Sequence, residues 1–212
     1  MNKPNEIPIL TARLLQQTSG QLFTDSASRG RYATDASIYQ TMPKAVFIPK
    51  TADDVVAAIG IAAELSVPIL ARGGGTSQCG QTTGAALVID NSPHFRKLLH
   101  LDLEEKTVEV EPGMVLDHLN QLLKPHQLWF PVDVSTSGQA TIGGMAGNNS
   151  CGSRSIQYGN MVHNVLGIDA WLADGTLAQF GKIGHAQGRA LELGNFVQSL
   201  AKKYQSEIIT HW

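Results

Sequence analysis

The stretch between residues 69 and 90, ILARGGGTSQCGQTTGAALVID, constrains the fold more than any other part of the sequence. An apolar run ends at Arg72, three consecutive glycines follow, and a second apolar run begins at Ala85. Short apolar runs bounded by turn residues predict buried strands. Because each glycine raises the conformational entropy cost of folding, three in succession exceed what a turn needs. Residues 73–84, the glycine loop, are therefore a candidate ligand site.

Three interpretations of the glycine loop are open. A plain turn would use glycine for its positive φ. A nucleotide P-loop fits GTSQCGQT (75–82), except that Gln81 stands where a lysine should contact phosphate. That loop should also begin a helix, whereas TTGAALVID has the character of a strand. The dinucleotide pattern GxGxxG fails too, because position 78 is glutamine.

The third interpretation is a diphosphate site formed by the main chain. Successive backbone N–H groups in a glycine-rich loop form an anion-binding nest, and glycines without Cβ atoms let a ligand approach closely. Thr76 and Ser77 add hydroxyl donors, and Arg72 stands close enough in sequence to contact a phosphate. Its place at the end of a strand is equally consistent with a structural hydrogen bond.

A strand–helix–strand unit precedes the glycine loop. We expect a helix within residues 7–22, a strand at 45–49, a helix capped by Thr51 and a strand at 67–72. The spacing predicts that the two strands are parallel. A third strand is expected at 86–90.

The second half of the chain has a different pattern. It predicts two strands within 97–113, a helix closed by Pro125, a short strand LWFP (128–131), a helix start at Thr141, a hairpin about Asp174-Gly175, and a helix at 188–204. The fold class is therefore α+β in two α/β lobes, a small parallel sheet followed by a mainly antiparallel sheet with helices. We expect a leader with a helix at 1–42, a first subdomain at 43–102 and a second at 103–212.

Composition excludes several functions. A formal net charge of −2 offers no basic footprint for nucleic acid. Cys79 and Cys151 are too few for a disulfide framework, and no Cys/His cluster indicates a metal. No apolar run is long enough for a transmembrane segment. These features favour a cytoplasmic protein with reduced thiols.

Several motifs occur together in a recognisable order: PKTADDVVAAIGIA, VPILARGGGTSQCG, VEPGM, WFPVD and ATIGGMAGNNSCGSRSIQYGNMVHNVLGIDAWLADG. Across residues 35–181 the chain resembles the PCMH-type FAD-binding domain of the vanillyl-alcohol-oxidase flavoproteins. It is most similar to the branch of FAD-linked D-2-hydroxyacid dehydrogenases, which oxidise D-lactate, glycolate or D-2-hydroxyglutarate. Within that branch it resembles large bacterial proteins that fuse this domain to an iron–sulfur-binding half.

The resemblance implies an FAD site made of both glycine-rich segments. The residues expected there are Arg72, Gly73, Gly74, Gly75, Thr76, Ser77, Gly80, Gln81, Pro131, Thr141, Gly143, Gly144, Asn148, Asn149, Gly152, Ser153 and Gly159. The amides and hydroxyls of GNNSCGS, which carry no net charge, suit a flavin rim better than a metal. A flexible surface loop is the alternative for that segment.

The histidines bear on how the cofactor is attached. Some family members bind FAD covalently through a histidine of the first loop, but here that position is Thr76, so non-covalent FAD is expected. We interpret the histidines as structural or solvated, with His163 the first to inspect. Trp129 and Phe130 are expected in the core.

The resemblance also implies a reaction. The parent protein would oxidise a small 2-hydroxy acid, with hydride passing to flavin N5 and electrons leaving to an acceptor that the sequence does not identify. The family's later EGTLG-like segment and substrate domain do not occur before Trp212. The chain therefore looks like a truncated FAD domain, any iron–sulfur cluster would lie outside it, and we assign no catalytic residue. Two alternatives stay open: a cell-wall precursor reductase that uses NADPH, and a nucleotide-binding module without catalysis.

Overall fold

The computed structural model describes residues 6–181 and 186–211, so the first five residues of the expected leader lie outside the described chain. Two compact units divide between Asn164 and Val165. The first unit has the helices α1 Glu6–Gln17, α2 Ser26–Gly30, α3 Ala52–Glu64, α4 Leu116–Leu123, α5 Ile142–Gly147, α6 Ser155–Tyr158 and α7 Met161–Asn164, and a 3₁₀ turn at Lys124–His126. Its strands are β1 Gln21–Phe23, β2 Ala45–Ile48, β3 Ile69–Arg72, β4 Leu87–Asp90, β5 Leu98–Asp102 and β6 Thr107–Val110. The second unit has β7 Ile168–Trp171, β8 Leu177–Phe180, α8 Gly188–Lys203 and α9 Gln205–His211.

A four-stranded sheet in the order β1-β2-β4-β3 organises the first unit. Strands β2 and β3 both pair with β4 in parallel, which confirms the predicted strand–helix–strand unit. Strand β1 pairs antiparallel with β2, and the sequence did not predict it. The expected helix at 7–22 ends at Gln17 because the chain then crosses close to β2, where a Cβ on Gly20 would lie 2.5 Å from the Phe47 ring.

Helix α3 begins where the sequence places its cap. The Thr51 hydroxyl accepts the Asp54 N–H at 3.2 Å, and the Asp54 carboxylate accepts the Thr51 N–H at 3.3 Å. This reciprocal capping box satisfies two backbone donors that the first turn of a helix leaves unpaired. The helix then packs its apolar face, with Ile61 2% exposed, against the sheet.

Among the described residues, two apolar clusters help to stabilise the first unit. In one, α1 and α3 cover the sheet and bury Leu10, Phe47 and Leu87 completely. In the other, Met114 and residues of α4 pack with hydrophobic side chains of the β5–β6 hairpin. The proposed boundary between subdomains at residues 102 and 103 stays a prediction.

The predicted antiparallel strands are present as two separate hairpins, β5–β6 and β7–β8, instead of one sheet. The expected strand at 128–131 is wrong, since that segment has no strand in the structure. The Phe130 N–H donates to the side chain of Asn120 at 2.8 Å, so it does not join a strand ladder. None of the described helices is long and apolar enough to cross a membrane.

Candidate cofactor site

The glycine loop is part of a crossover between two parallel neighbours. Strand β3 ends at Arg72 and β4 begins at Leu87, and the two strands pair directly. Parallel neighbours need a long crossover, which is usually a helix; residues 73–86 make this one without any helix. The loop therefore starts at the carboxyl end of a parallel strand, the edge where open α/β sheets bind ligands.

The two glycine-rich segments of the sequence meet at the start of this loop. A Cβ on Gly73 would lie 2.1 Å from Thr141 Oγ1, and one on Gly74 would lie 2.2 Å from the Gln139 carbonyl oxygen. Both distances are far below van der Waals contact. Positions 73 and 74 therefore need glycine because residues 139–141 pack directly against them. The sequence had predicted a different reason, the close approach of a ligand.

Two further glycines set the path of the loop. Gly75 has φ +65° and Gly80 has φ +76°, a left-handed conformation that residues with a Cβ rarely adopt. Side chains at these positions would also collide with the guanidinium of Arg72, at 2.5 Å, and the ring of Tyr39, at 2.6 Å. The loop thus needs glycine for backbone conformation at two points.

The main-chain amides from Gly73 to Gln78 are the central feature of the site. Within residues 6–181 and 186–211, none of these N–H groups donates a hydrogen bond to a protein acceptor. Cys79 is the next residue whose amide has one, the Ser77 hydroxyl at 3.3 Å. Successive amides without protein partners can bind an anion such as a diphosphate, so this segment fits the diphosphate of FAD.

Arg72 has a structural role in the described chain. Its guanidinium donates to the carbonyl oxygens of Tyr32 at 3.3 Å, Thr34 at 2.9 Å and Thr82 at 3.1 Å. These bonds favour the structural alternative that the sequence left open. A contact between Arg72 and a phosphate stays a prediction.

Helix α5 places the predicted TIGG segment beside the glycine loop. Thr141, 2% exposed, caps this helix by accepting the Gly144 N–H at 3.3 Å. Gly143 packs on Pro112, because its N–H donates to the Pro112 carbonyl at 2.9 Å and a Cβ there would lie 2.6 Å from the proline ring. Gly144 is exposed to solvent.

Amide side chains connect the two segments. Gln81 donates from Nε2 to Asn148 Oδ1 at 2.9 Å, and its Oε1 accepts the Ser77 hydroxyl. Asn149 has φ +46° and accepts the Val162 N–H on its side-chain oxygen at 3.0 Å. The residue that stands at the lysine position of a P-loop thus joins the glycine loop to the second segment.

Asp133, the last residue of the WFPVD motif, organises the second segment, a role that the sequence did not assign to it. Its carboxylate accepts the Ser153 hydroxyl at 2.8 Å and the Arg154 N–H at 3.0 Å, and a Cβ on Gly152 would lie 1.9 Å from its carbonyl oxygen. The Ser153 hydroxyl, followed by the Arg154 amide, holds the pKa of this carboxyl below its ordinary value. The sequence feature that could have indicated this role is a single acidic residue directly after the apolar run that ends at Val132.

Pro131, one of the residues expected at the FAD site, is half-buried and lies two residues before Asp133. Trp129 is 42% exposed, so its expected place in the core is wrong, whereas Phe130 does pack against the Met114 cluster. Trp129 instead contacts Tyr158 edge-to-face, with ring centroids 5.2 Å apart.

Gly159 and His163 form a turn after the second segment. Gly159 has φ +79°, and a Cβ there would lie 2.9 Å from the His163 ring. His163 Nδ1 accepts the Asn160 N–H at 3.0 Å, which agrees with a structural interpretation of this histidine. Among the residues that the structure describes, no group of His, Cys, Asp or Glu could hold a metal ion.

The geometry above agrees with a family assignment. Residues 43–181 match the family described as FAD binding domain, and the chain belongs to that family. This confirms the resemblance to an FAD-binding domain, the fold class and FAD as the cofactor of the family; the fusion to an iron–sulfur-binding half stays a prediction.

Known proteins of similar sequence are named as a dehydrogenase and an oxidase subunit. The chain is 39% identical over 165 residues to a D-2-hydroxyglutarate dehydrogenase of Haemophilus influenzae, covering 76% of this chain and 16% of the relative. It is 35% identical over 173 residues to the glycolate oxidase subunit GlcD of Bacillus subtilis, covering 80% of this chain and 37% of the relative. The chain thus spans only a part of the length of these relatives.

Solved structures share the fold at low sequence identity. A Physcomitrella patens BBE-like 1 variant matches with a TM-score of 0.70 and 22% identity, covering 81% of this chain and 37% of that chain. An alkyldihydroxyacetonephosphate synthase matches with a TM-score of 0.69 and 20% identity, covering 87% of this chain and 35% of that chain. These likenesses support the fold alone.

Proposed function

We propose that this chain is the cofactor-binding part of a flavin-dependent oxidoreductase that oxidises a D-2-hydroxy acid. The observation that carries the proposal is the run of amides from Gly73 to Gln78, which have no protein acceptor in the described chain. Bound FAD would take up the hydride that leaves the substrate carbon. The relatives named D-2-hydroxyglutarate dehydrogenase and glycolate oxidase subunit support a hydroxy acid as the substrate class.

The residues of the chain would bind and orient the cofactor. The glycine loop would supply N–H donors to the diphosphate, and the hydroxyls of Thr76 and Ser77 would add to them. Gly144 and the 148–153 segment would form a neutral wall for the flavin and its ribityl hydroxyls, since the segment offers the amides of Asn148 and Asn149 and the hydroxyl of Ser153 and has no charged side chain. Thr76, in place of a histidine, supports non-covalent attachment.

Two further parts of the proposal rest on other grounds. A cytoplasmic location is supported by Cys79 and Cys151, which are both free and exposed, since such thiols are typical of a reducing compartment. An iron–sulfur half in the parent protein rests on the resemblance, and no residue of this chain argues for it.

Titration with FAD tests the proposal. We expect the purified chain to bind FAD, shown by a shifted visible flavin spectrum and co-elution on gel filtration. FMN is the comparison ligand, because it has the same ring but lacks the second phosphate and the adenosine, and it should bind at least about ten-fold more weakly. Equal affinity for FMN and FAD, or no binding of FAD, would contradict a diphosphate site.

A second experiment tests the proposed substrate class, and it uses the longest natural protein that contains this chain. D-2-Hydroxyglutarate and D-lactate should bleach the bound flavin without air, whereas their L enantiomers should not. A flavin that is bleached by NADPH and not by either hydroxy acid would favour the reductase alternative. A protein that binds FAD but is bleached by none of these would favour a binding module.

A further inference from the structure

The leader loop, residues 32–41, lies against the glycine loop, with the Tyr39 ring beside Gly80. It folds back on itself, because Thr34 bridges to Gln40 and the Thr41 N–H donates to the Ala33 carbonyl at 2.8 Å. Ala33 is fully buried. The leader loop is therefore anchored in the fold, so it can support a neighbouring segment.

Arg72 connects the leader loop to both ends of the glycine loop. The guanidinium extends from the residue just before Gly73, and it donates to the leader loop at the carbonyls of Tyr32 and Thr34. It also donates to the Thr82 carbonyl, near the far end of the glycine loop. The Tyr32 ring lies 5.2 Å from the guanidinium carbon, a distance that allows a cation–π contact.

Asp35 makes a second connection at the far end. One carboxylate oxygen accepts the Thr82 hydroxyl at 3.0 Å and the Thr82 N–H at 3.4 Å. The other accepts the Ser37 N–H at 2.8 Å, which fixes the carboxylate within the leader loop. A hydrogen bond to a charged acceptor is stronger than one between neutral groups, so the Thr82 hydroxyl is held firmly.

These bonds act on the amides that lie between them. Arg72 and Thr82 are both tied to the leader loop, while the N–H groups from Gly73 to Gln78 have no protein acceptor in the described chain. A loop that must become ordered when its ligand arrives loses affinity for that ligand. Attachment at both ends reduces this loss without any contact to the ligand.

We propose that Asp35 is a positioning residue for the cofactor, which holds the glycine loop ready for a diphosphate through the hydroxyl of Thr82. The inference rests on the proposed function, since it assumes that FAD binds at the glycine loop. Asp35 does not need to touch the cofactor. Its charge would disfavour a nearby diphosphate by Coulomb repulsion, so positioning and direct charge predict opposite effects when it is removed.

A set of four variants of the full chain tests the inference by FAD titration. Asp35→Ala removes the acceptor and Thr82→Val removes only the hydroxyl, and each should weaken FAD binding about ten-fold, as expected for one hydrogen bond to a charged group. Thr82→Ser keeps the hydroxyl and should bind FAD as the wild type does. Glu104→Ala removes an exposed carboxylate elsewhere and serves as the charge control.

The outcomes separate this inference from the proposed function. If the wild type binds no FAD, both the proposed function and the positioning role are contradicted. If the wild type binds FAD but Asp35→Ala and Thr82→Val bind it equally well or more tightly, only the positioning role is overturned. Equal weakening in Thr82→Ser and Thr82→Val would also overturn it, because the hydroxyl would then not be the cause. The Thr82 pair decides the question even if Asp35→Ala does not fold.

Discussion

At the scale of single residues, Gly74 joins the two glycine-rich segments. Because a Cβ there would lie 2.2 Å from the Gln139 carbonyl oxygen, a backbone atom that cannot rotate away, Gly74→Ala must push the segments apart. We expect FAD affinity to fall about 100-fold, equivalent to ~2.7 kcal/mol and within the cost of overpacking. Absorbance titration measures the loss, and far-ultraviolet circular dichroism should show secondary structure close to that of the wild type.

Gly84 provides the matched control in the same loop. A Cβ there would meet only Leu70 Cδ2, at 3.4 Å, and the residue is not among those with positive φ. Gly84→Ala should therefore bind FAD within about two-fold of the wild type. Similar losses in the two variants would show that any added side chain disturbs the loop, and would remove the special role of Gly74.

At the scale of elements, the start of helix α3 depends on one buried carboxylate. Asp54 is 4% exposed and accepts N–H groups of Ser19 at 2.7 Å, Lys50 at 2.9 Å and Thr51 at 3.3 Å. Asp54→Ala leaves these donors without an acceptor and should lower the free energy of unfolding by about 2–3 kcal/mol in urea titrations. The exposed neighbour Asp53 is the control, and Asp53→Ala should cost less than about 1 kcal/mol.

The same carboxylate makes the stability of the fold decrease as the pH is lowered. Burial alone raises the pKa of Asp54, but the hydrogen bonds from Ser19, Lys50 and Thr51 outweigh it and leave the pKa below its ordinary value. The folded protein therefore holds the proton less tightly than the unfolded chain. Its contribution to stability is complete above about pH 5 and is lost as the pH falls through the folded pKa. The stability gap between wild type and Asp54→Ala should narrow over that range; a constant gap would contradict this.

At the scale of the whole molecule, local signals predicted most of the helices and strands, in the first unit and in the second. The capping pair Thr51 and Asp54, the alternation in 107–110 and the Asp174-Gly175 turn are each readable within a few residues. Strand β1 could not be predicted, because it has three residues and depends on pairing with β2, which is distant in sequence.

In the candidate site, too, the local features could be predicted from the sequence and the long-range contacts could not. The sequence marked the glycine loop and the 141–153 segment, but it gave a ligand as the reason for Gly73 and Gly74, where the structure shows contact with residues 139–141. The roles of Asp133 and Asp35 could not be predicted, because a single acid has no pattern until the fold brings its partners near. Long-range contacts are thus the part of the site that one sequence does not specify.

The central claim is that main-chain amides of the glycine loop bind the diphosphate of FAD, and a crystal structure of this chain with FAD tests it most directly. We predict diphosphate oxygens within about 2.7–3.2 Å of several amide nitrogens between Gly73 and Gln78. A diphosphate bound elsewhere, with these amides donating to protein carbonyls, would contradict the account.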